Sequence, residues 1–395
     1  MTAYIVDWAS LLLRWLHIIT GIAWIGSSFY FIWLDLSLRR RQHLPQGVHG
    51  ESWSVHGGGF YHVQKYLVAP QQMPDTLHWF KYESYFTWLS GFALLGVIYY
   101  YGAQHFLIDP KVMALSAPAA ILISLASLAL GWVVYDRLCR SPVGEHMPLL
   151  GALVFLLVVL AAWGYGEVFS GRAALLHVGA MVATIMTANV FLIIIPNQKI
   201  VVADLKAGRT PDPKYGKIAK QRSTHNNYLT LPVLFMMISN HYPMVTSAEQ
   251  LWLVTALVVA IGATVRAWFN ASHEGRSGLG LMWQWPVAAV LTVALAALVY
   301  APPPATDGVR ANVTDTQALT IVLNRCAGCH AQQPTQPGFA QASGGVRLEA
   351  IEQLRAHRDA VYAQSVAGTA MPLANLTGMT DEERALLGAW IRDQR

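Results

Sequence analysis

Long apolar segments recur along the first 300 residues, and they constrain the fold more than any other feature of the sequence. A helix of about 18 apolar residues or more crosses a hydrocarbon core that is about 30 Å thick. Eight segments approach or exceed that length, and they cover residues 9–36, 85–101, 113–136, 147–164, 174–195, 228–242, 249–269 and 281–300. We therefore predict an all-α fold in which a polytopic transmembrane helical bundle of about eight spans forms most of the chain.

The composition agrees with this prediction. The chain has 54% hydrophobic and 12% charged residues and a mean hydropathy of +0.37, which differs strongly from an average water-soluble domain. The sixth segment is the weakest predicted span because it is short. No cleavable signal peptide is predicted, because the first segment is longer than a signal core and lacks a small-residue cleavage site. The lipid bilayer is thus the first predicted partner.

The distribution of lysine and arginine predicts the orientation. Loops 37–84, 137–147, 196–227 and 266–280 hold sixteen of these residues, whereas the alternate loops hold only Lys111 and Arg172. Cytoplasmic loops carry the excess of positive charge in membrane proteins. We therefore expect the N-terminus and the C-terminal tail on the periplasmic side of a bacterial inner membrane. Because topology explains the net charge of +5 and no nucleic-acid-binding motif accompanies it, nucleic acid is not an expected partner.

A cysteine motif in the tail indicates redox chemistry. Cys326 and Cys329 enclose two residues and are followed at once by His330, which is the signature for covalent attachment of haem c. The thiols would bond the haem and the imidazole would take one axial position on the iron. The alternative is a redox or zinc CxxC motif, but zinc needs two further ligands and the remaining thiol, Cys139, lies far away in an apolar segment. The sequence therefore predicts haem c.

The second axial ligand of the iron should follow the motif. Met371 precedes a proline, as the methionine ligand of small cytochromes c does, and Met379 is the alternative. A capping box of Thr380 and Glu383 predicts a final helix. The tail thus resembles a small class I cytochrome c. We divide the chain into a membrane domain, a proline-rich linker and a periplasmic cytochrome domain, at residues 1–300, 301–312 and 313–395.

Histidine is concentrated in the membrane domain, which holds twelve of the fourteen. Segment 49–83 is rich in glycine, histidine and aromatic residues, which favours a functional loop over amphipathic helices on the membrane surface. A second polar stretch, His225-Asn226-Asn227, opens the sixth apolar segment on the same side. Amide and imidazole groups in such a position can bind a polar heterocycle by several hydrogen bonds.

Several of these motifs together resemble the bacterial membrane-bound urate hydroxylase family. They are RWLHIITGIAWIG at 14–26, HGGGFYHVQKY at 56–66, HWFK at 78–81, THNNYLTLP at 224–232 and SNHYP at 239–243. Members of that family join an integral-membrane urate-oxidising domain to a C-terminal cytochrome c. The resemblance implies oxidation of urate to 5-hydroxyisourate, a step of purine catabolism. It also implies that electrons leave through haem c to a soluble cytochrome or a terminal oxidase.

The resemblance suggests roles for the polar residues on the cytoplasmic side. We expect the motif His225-Asn226-Asn227 to hydrogen-bond the purine and Lys65 to complement the urate anion. Either His56 or His62 would act as the base, and Glu83 would orient one of these imidazoles.

A cytoplasmic urate site and a periplasmic haem c would be separated by the hydrocarbon core. Either an intermediate cofactor bridges them, or the substrate site lies deeper or on the periplasmic side. His17 and His177 lie near the outer ends of the first and fifth spans, and Arg14 lies one turn from His17. A haem b held by the two histidines, with Arg14 near a propionate, is the predicted bridge.

Other functional classes are less well supported by the sequence. A quinol-to-cytochrome oxidoreductase would need paired histidine ligands within single spans, and no span has such a pair. A metal-transport domain with a redox tail would need methionine or cysteine along a pore, and the twelve methionines do not cluster in that way. A non-catalytic membrane anchor would leave the histidine-rich segment unexplained.

Overall fold

The computed structural model describes residues 2–66, 70, 74–278, 280, 282–300, 313–336, 339 and 341–394. The predicted linker at 301–312 therefore lies outside the described residues, as does part of segment 49–83. Within the described residues the chain is mainly helical, which confirms the predicted fold class at that level. The linker and the three-part division of the chain stay predictions.

The helices of the first 300 residues follow the apolar segments. Their bounds are α1 Thr2–Ser37, α2 Tyr82–Leu94, α3 Ala103–Phe106, α4 Ala117–Arg140, α5 Met147–Gly166, α6 Gly171–Ala188, α7 Ile195–Lys206, α8 Pro213–Ile238, α9 Pro243–Thr246, α10 Leu251–His273 and α11 Gln284–Leu298. Wider π-helical turns at Leu95–Tyr100 and Asn189–Ile194 continue α2 and join α6 to α7.

Five described helices are long and apolar enough to cross a membrane. They are Tyr4–Ser37, Ala117–Arg140, Met147–Gly166, Gly171–Lys206 and Leu251–His273, and each contains or overlaps one of the eight predicted segments. The other three segments are also helical. Segment 228–242 shares α8 with a lysine-rich first half, 281–300 forms a helix of only 15 residues, and a change of helix type divides 85–101. The eight-span topology therefore stays a prediction.

The core of the bundle forms around α6, whose residues are buried on most sides. Helices α4, α5 and α8 pack against it, and their largest fully buried side chains include Tyr135, Leu150 and Met236. This packing brings the outer ends of α1, α2 and α6 together with the end of α8. Those ends enclose the cavity described below.

One element departs from the all-α prediction. Strands β1 (Val48–His56) and β2 (Gly59–Tyr66) form an antiparallel hairpin in the histidine-rich segment. Gly57 and Gly58 connect the strands with φ angles of +58° and +79°, a combination that a two-residue hairpin turn requires and that glycine adopts without strain. Trp53 and His62 stack across the strands at 4.2 Å between ring centroids. The glycine pair, read from the sequence as part of a loop, is the turn of this hairpin.

The C-terminal residues form a second core. It contains helices α12 Asp315–Arg325, α13 Ala327–His330, α14 Ile351–Ala356, α15 Arg358–Ser365 and α16 Asp381–Asp393. The predicted capping box of Thr380 and Glu383 begins α16. Trp390 is fully buried, and its indole N–H donates to Asp315 Oδ1 at 2.9 Å, which joins the last helix to α12.

The C-terminal unit contacts the outer end of the bundle. The backbone N–H of Thr369 donates to Ser247 Oγ at 3.3 Å, and the rings of Phe339 and His105 lie 5.8 Å apart. His105 belongs to α3, the short helix that follows the π-helical end of α2. The contact therefore lies on the side that the charge distribution predicts to be periplasmic.

Candidate functional site

The cysteine motif lines a cavity of about 290 Å³ in the C-terminal unit. Cys326 and Cys329 lie at the beginning of α13 and within it, and His330 ends this helix, so one short turn directs all three side chains to the cavity. His330 Nδ1 lies 3.1 Å from the carbonyl oxygen of Val346, which can only accept a hydrogen bond. Nδ1 therefore carries the proton and Nε2 is free to bind a metal, as in metal-ligating histidines generally.

The two candidate methionines occupy different environments. Met371 lines the same cavity as His330, and its carbonyl oxygen accepts a hydrogen bond from Arg384 at 2.9 Å. Met379 is 2% exposed and belongs to the apolar core around Trp390. Two thiols for covalent attachment, with one imidazole and one thioether for the iron, around a largely apolar cavity fit haem c.

Burial determines the protonation of the two thiols. It raises the pKa of Cys326 to about 11 and also raises the pKa of Cys329 above its usual range. Both thiols are therefore protonated at neutral pH.

A second cavity, of about 230 Å³, lies between helices of the bundle, and we call it the outer cavity. Its polar lining residues come from α1, α2, α6 and the end of α8, and they are Arg14, His17, Thr87, Tyr99, Arg172, Thr184, Thr187, Asn240 and His241. Trp24, Trp88 and Phe92 contribute aromatic walls. An apolar cavity with a few convergent polar groups is the usual form of a small-molecule site.

The charges around the outer cavity are positive. Arg14 and Arg172 line it, and its described lining contains neither aspartate nor glutamate. Arg172 Nε is buried and has no hydrogen-bond partner among the described residues. The Tyr99 hydroxyl donates to Asn240 Oδ1 at 3.1 Å. The cavity therefore suits a flat, polar anion better than a cation.

His17 is held in one orientation at the wall of the outer cavity. Its Nδ1 lies 2.9 Å from the carbonyl oxygen of Thr87 and 3.1 Å from Ser90 Oγ. A Cβ atom at Gly91 would lie 2.8 Å from His17 Cε1, so glycine is the residue that allows the ring to lie against α2. The other predicted haem b ligand is placed differently.

His177 lies in the core of the bundle. It is fully buried, its Nε2 lies 2.7 Å from Ser124 Oγ, and its Nδ1 lies 2.7 Å from the carbonyl oxygen of Ala173. Both ring nitrogens are thus engaged, and His177 is not among the residues that line the outer cavity. The arrangement does not fit a haem b held between His17 and His177.

Aromatic side chains connect the two cavities. Tyr99 lines the outer cavity, and its ring lies 6.2 Å from that of Phe106. The Phe106 ring lies 6.4 Å from that of His105, which lines the cavity of the cysteine motif. Because this cavity is the predicted site of haem c, we call it the haem cavity. Burial lowers the pKa of His105 from its usual value, which favours its neutral form at pH 7. We call Tyr99, Phe106 and His105 the aromatic bridge.

The motif His225-Asn226-Asn227 lies in a buried network in the middle of α8. His225 Nδ1 is 2.8 Å from the Tyr135 hydroxyl, and Asn189 donates to Asn226 Oδ1 at 2.9 Å. Arg266 donates to Asn227 Oδ1 at 2.8 Å. Neither of the two cavities is lined by these residues, and their interactions hold helices together.

The hairpin residues predicted to act on urate lie elsewhere. His62 Nε2 is 2.6 Å from Glu51 Oε2, and Lys65 Nζ is 2.5 Å from Asp35 Oδ1 at the end of α1. His56 is exposed beside the turn, and Glu83 lies in the first turn of α2. The described contacts of the hairpin are with α1 and the residues after it, not with His225. The predicted cytoplasmic site is therefore not assembled among the described contacts.

Four cavity residues have no role that the sequence predicts. Asn240 and His241 belong to the SNHYP motif, which carries part of the resemblance but predicts no role for them. Arg172 contributes only to the loop charge, and His105 is one of the twelve histidines of the membrane domain. Their combination depends on the packing of α1, α2, α6 and α8, which no local pattern encodes. The motifs RWLHIITGIAWIG at 14–26 and SNHYP at 239–243 were the sequence features that could have indicated this cavity.

Comparison with known proteins gives one match. The model of the family described as urate oxidase N-terminal matches residues 3–301, which include every helix that lines the outer cavity. No curated protein and no solved structure matches the chain. The match covers well over half of the chain and supports a urate-related activity. The chain belongs to the urate oxidase N-terminal family.

Proposed function

We propose that the chain is a membrane-bound urate hydroxylase that oxidises urate in the outer cavity and passes the electrons to a haem c in its C-terminal domain. The observation that carries the proposal is the aromatic bridge. It extends from a residue of the outer cavity, Tyr99, to a residue of the haem cavity, His105. Substrate and electron acceptor would then lie on the same side of the membrane.

The lining of the outer cavity supports urate as the ligand. Urate is a planar heterocyclic anion at neutral pH, with carbonyl oxygens and N–H groups around its edge. Guanidinium groups bind planar anions by paired hydrogen bonds, and Arg14 and Arg172 supply them here. Asn240 and Thr184 add polar groups, and Trp88 offers a ring face against which the purine can stack.

The reaction balances with water as the second reactant. The urate anion and water become the 5-hydroxyisourate anion, two protons and two electrons; an O–H bond of water breaks and a new C–O bond forms at C5. A haem c attached to Cys326 and Cys329 would accept one electron at a time. The final oxidant is a downstream one-electron acceptor, such as a soluble cytochrome or a terminal oxidase. His330 and Met371 would hold the iron.

A reduced-minus-oxidised spectrum tests the proposal. Purified protein in detergent is mixed with urate under anaerobic conditions, and we expect the absorption bands of reduced haem c to appear. The double variant Cys326→Ala/Cys329→Ala should lack covalent haem and show no such bands. Wild-type protein that dithionite reduces but urate does not would overturn the proposal.

A further inference from the structure

We propose that His17 is the catalytic base of urate oxidation, with Nε2 as the atom that takes the proton. The inference rests on the proposed function and assigns a role within its site. It also assigns positioning roles to Thr87, Ser90 and Gly91 on α2. The argument depends on hydrogen-bond geometry and on the shape of the helix contact.

The partners of Nδ1 determine the tautomer of His17. The carbonyl oxygen of Thr87, 2.9 Å away, has no proton to donate, so Nδ1 must be the donor. The Ser90 hydroxyl lies within 3.1 Å of the same nitrogen and donates to the carbonyl oxygens of Phe86 and Thr87. In the neutral ring Nε2 then carries a lone pair, which is the form that a general base needs.

The lone pair of Nε2 is available to a ligand. Among the described residues Nε2 has no hydrogen-bond partner, and the ring lines the outer cavity. An oriented imidazole with one nitrogen fixed by an acceptor and the other free resembles the base of many hydrolytic and redox sites. A histidine that served only to join helices would need no free nitrogen facing a cavity.

Gly91 determines where the ring lies. Its hydrogen atom faces the imidazole, and a Cβ atom there would lie 2.8 Å from Cε1 and 3.3 Å from Nδ1. Such distances are shorter than van der Waals contact, so an alanine would displace the ring from Thr87. Gly91 is thus a positioning residue that can be changed without altering any polar group of the site.

The surrounding charges support the role. Arg14 lies on the same helix, Arg172 on α6 faces the cavity from the other side, and His241 lies at the end of α8. The two guanidinium groups can hold the urate anion in the cavity by charge-assisted hydrogen bonds. The negative charge of that anion would stabilise the proton that His17 accepts.

The proton transfer completes the balance of the reaction. His17 Nε2 takes a proton from a ring N–H of bound urate, and the electrons of that N–H bond stay in the purine. The two electrons lost by the purine leave toward haem c. Water then adds at C5, and its proton leaves to the periplasmic side.

Variants of His17 and Gly91 test the inference. We would measure the rate of urate-driven haem c reduction in rapid mixing and urate affinity by equilibrium dialysis. In His17→Gln the maximal reduction rate should fall by at least about a hundredfold, the lower range for loss of a general base. Urate affinity should change much less. Gly91→Ala should lower the same rate with little change in affinity, and Thr20→Ala is the matched control because its hydroxyl bonds only to backbone oxygens of its own helix.

The possible outcomes separate the two proposals. If urate fails to reduce haem c in the wild-type protein, the proposed function is wrong. If the wild type is reduced and His17→Gln is reduced at a similar rate, the base lies elsewhere and the inference is wrong. A His17→Gln variant that loses urate affinity but keeps its maximal rate would also contradict the inference, because His17 would then be a binding residue. The thermal unfolding temperature of each variant is measured in detergent. A value equal to that of the wild type shows that a slow rate does not result from misfolding.

Discussion

At the scale of residues, burial determines which methionine we expect to bind the iron of the proposed haem. Met371 lines the haem cavity, whereas Met379 is packed in the apolar core. Met371→Ala should therefore remove the methionine-to-iron charge-transfer band while covalent haem remains. Met379→Ala should keep the band and lower the thermal stability of the domain, because deleting a buried methionine side chain costs about 2–5 kcal/mol. A band that persists in Met371→Ala and disappears in Met379→Ala would reverse the assignment.

Arg172 offers a test of anion binding. Its Nε is buried without a described partner, and the side chain lines the outer cavity. A hydrogen bond to a charged group contributes about 1.5–3 kcal/mol, so Arg172→Gln should raise the KM for urate by about tenfold or more. The control is Arg137, an exposed arginine in the last turn of α4 that lines neither cavity. Arg137→Gln should leave the KM for urate unchanged. Equal KM values in both variants would exclude Arg172 from the substrate site.

At the scale of elements, α3 is the connection between the two cavities. Its Phe106 ring lies between Tyr99 and His105. Phe106→Ala should slow urate-driven haem reduction while leaving urate affinity and the haem spectrum unchanged. Phe80, an exposed aromatic residue just before the first residue of α2, provides the control variant Phe80→Ala. An unchanged reduction rate in Phe106→Ala would show that electrons take another path.

The buried network of α8 has a different expected role. Arg222 is 1% exposed and donates to Asp136 Oδ1 at 2.7 Å. Removing one partner of a buried ion pair costs about 3–5 kcal/mol, so Arg222→Met should lower the thermal unfolding temperature strongly. His225→Ala should leave the KM for urate near the wild-type value. A large rise in KM for His225→Ala would instead support the purine site predicted from the sequence.

The sequence predicts elements better than contacts. The apolar segments predict the helices because each span must satisfy its own backbone. The sequence does not predict the hairpin at 48–66, because its aromatic and histidine residues are compatible with a loop, a surface helix or a strand. Only the glycine pair at 57 and 58 specifies a turn. The cysteine motif predicts its cavity because its residues are adjacent in the chain. The outer cavity is not predictable in this way, since its polar residues come from separate helices.

At the scale of the whole molecule, the outer cavity removes a difficulty of topology. A cytoplasmic urate site would place about 30 Å of hydrocarbon between the substrate and a periplasmic haem. The outer cavity and the haem cavity instead lie on the same side of the bundle, joined by the aromatic bridge. The haem b predicted as an intermediate is then not needed for electron transfer. A pyridine haemochrome spectrum of the wild-type protein should show c-type haem alone.

Anaerobic titration of the protein with urate tests the central claim most directly. Each urate molecule should supply two electrons, so it should reduce the haem c of two protein molecules. Reduction should therefore be complete at half a mole of urate per mole of protein, and 5-hydroxyisourate should form without peroxide. The spectrum after titration should match that of the dithionite-reduced protein. A haem c that stays oxidised during the titration, while urate is consumed with stoichiometric peroxide once oxygen is admitted, would contradict the account.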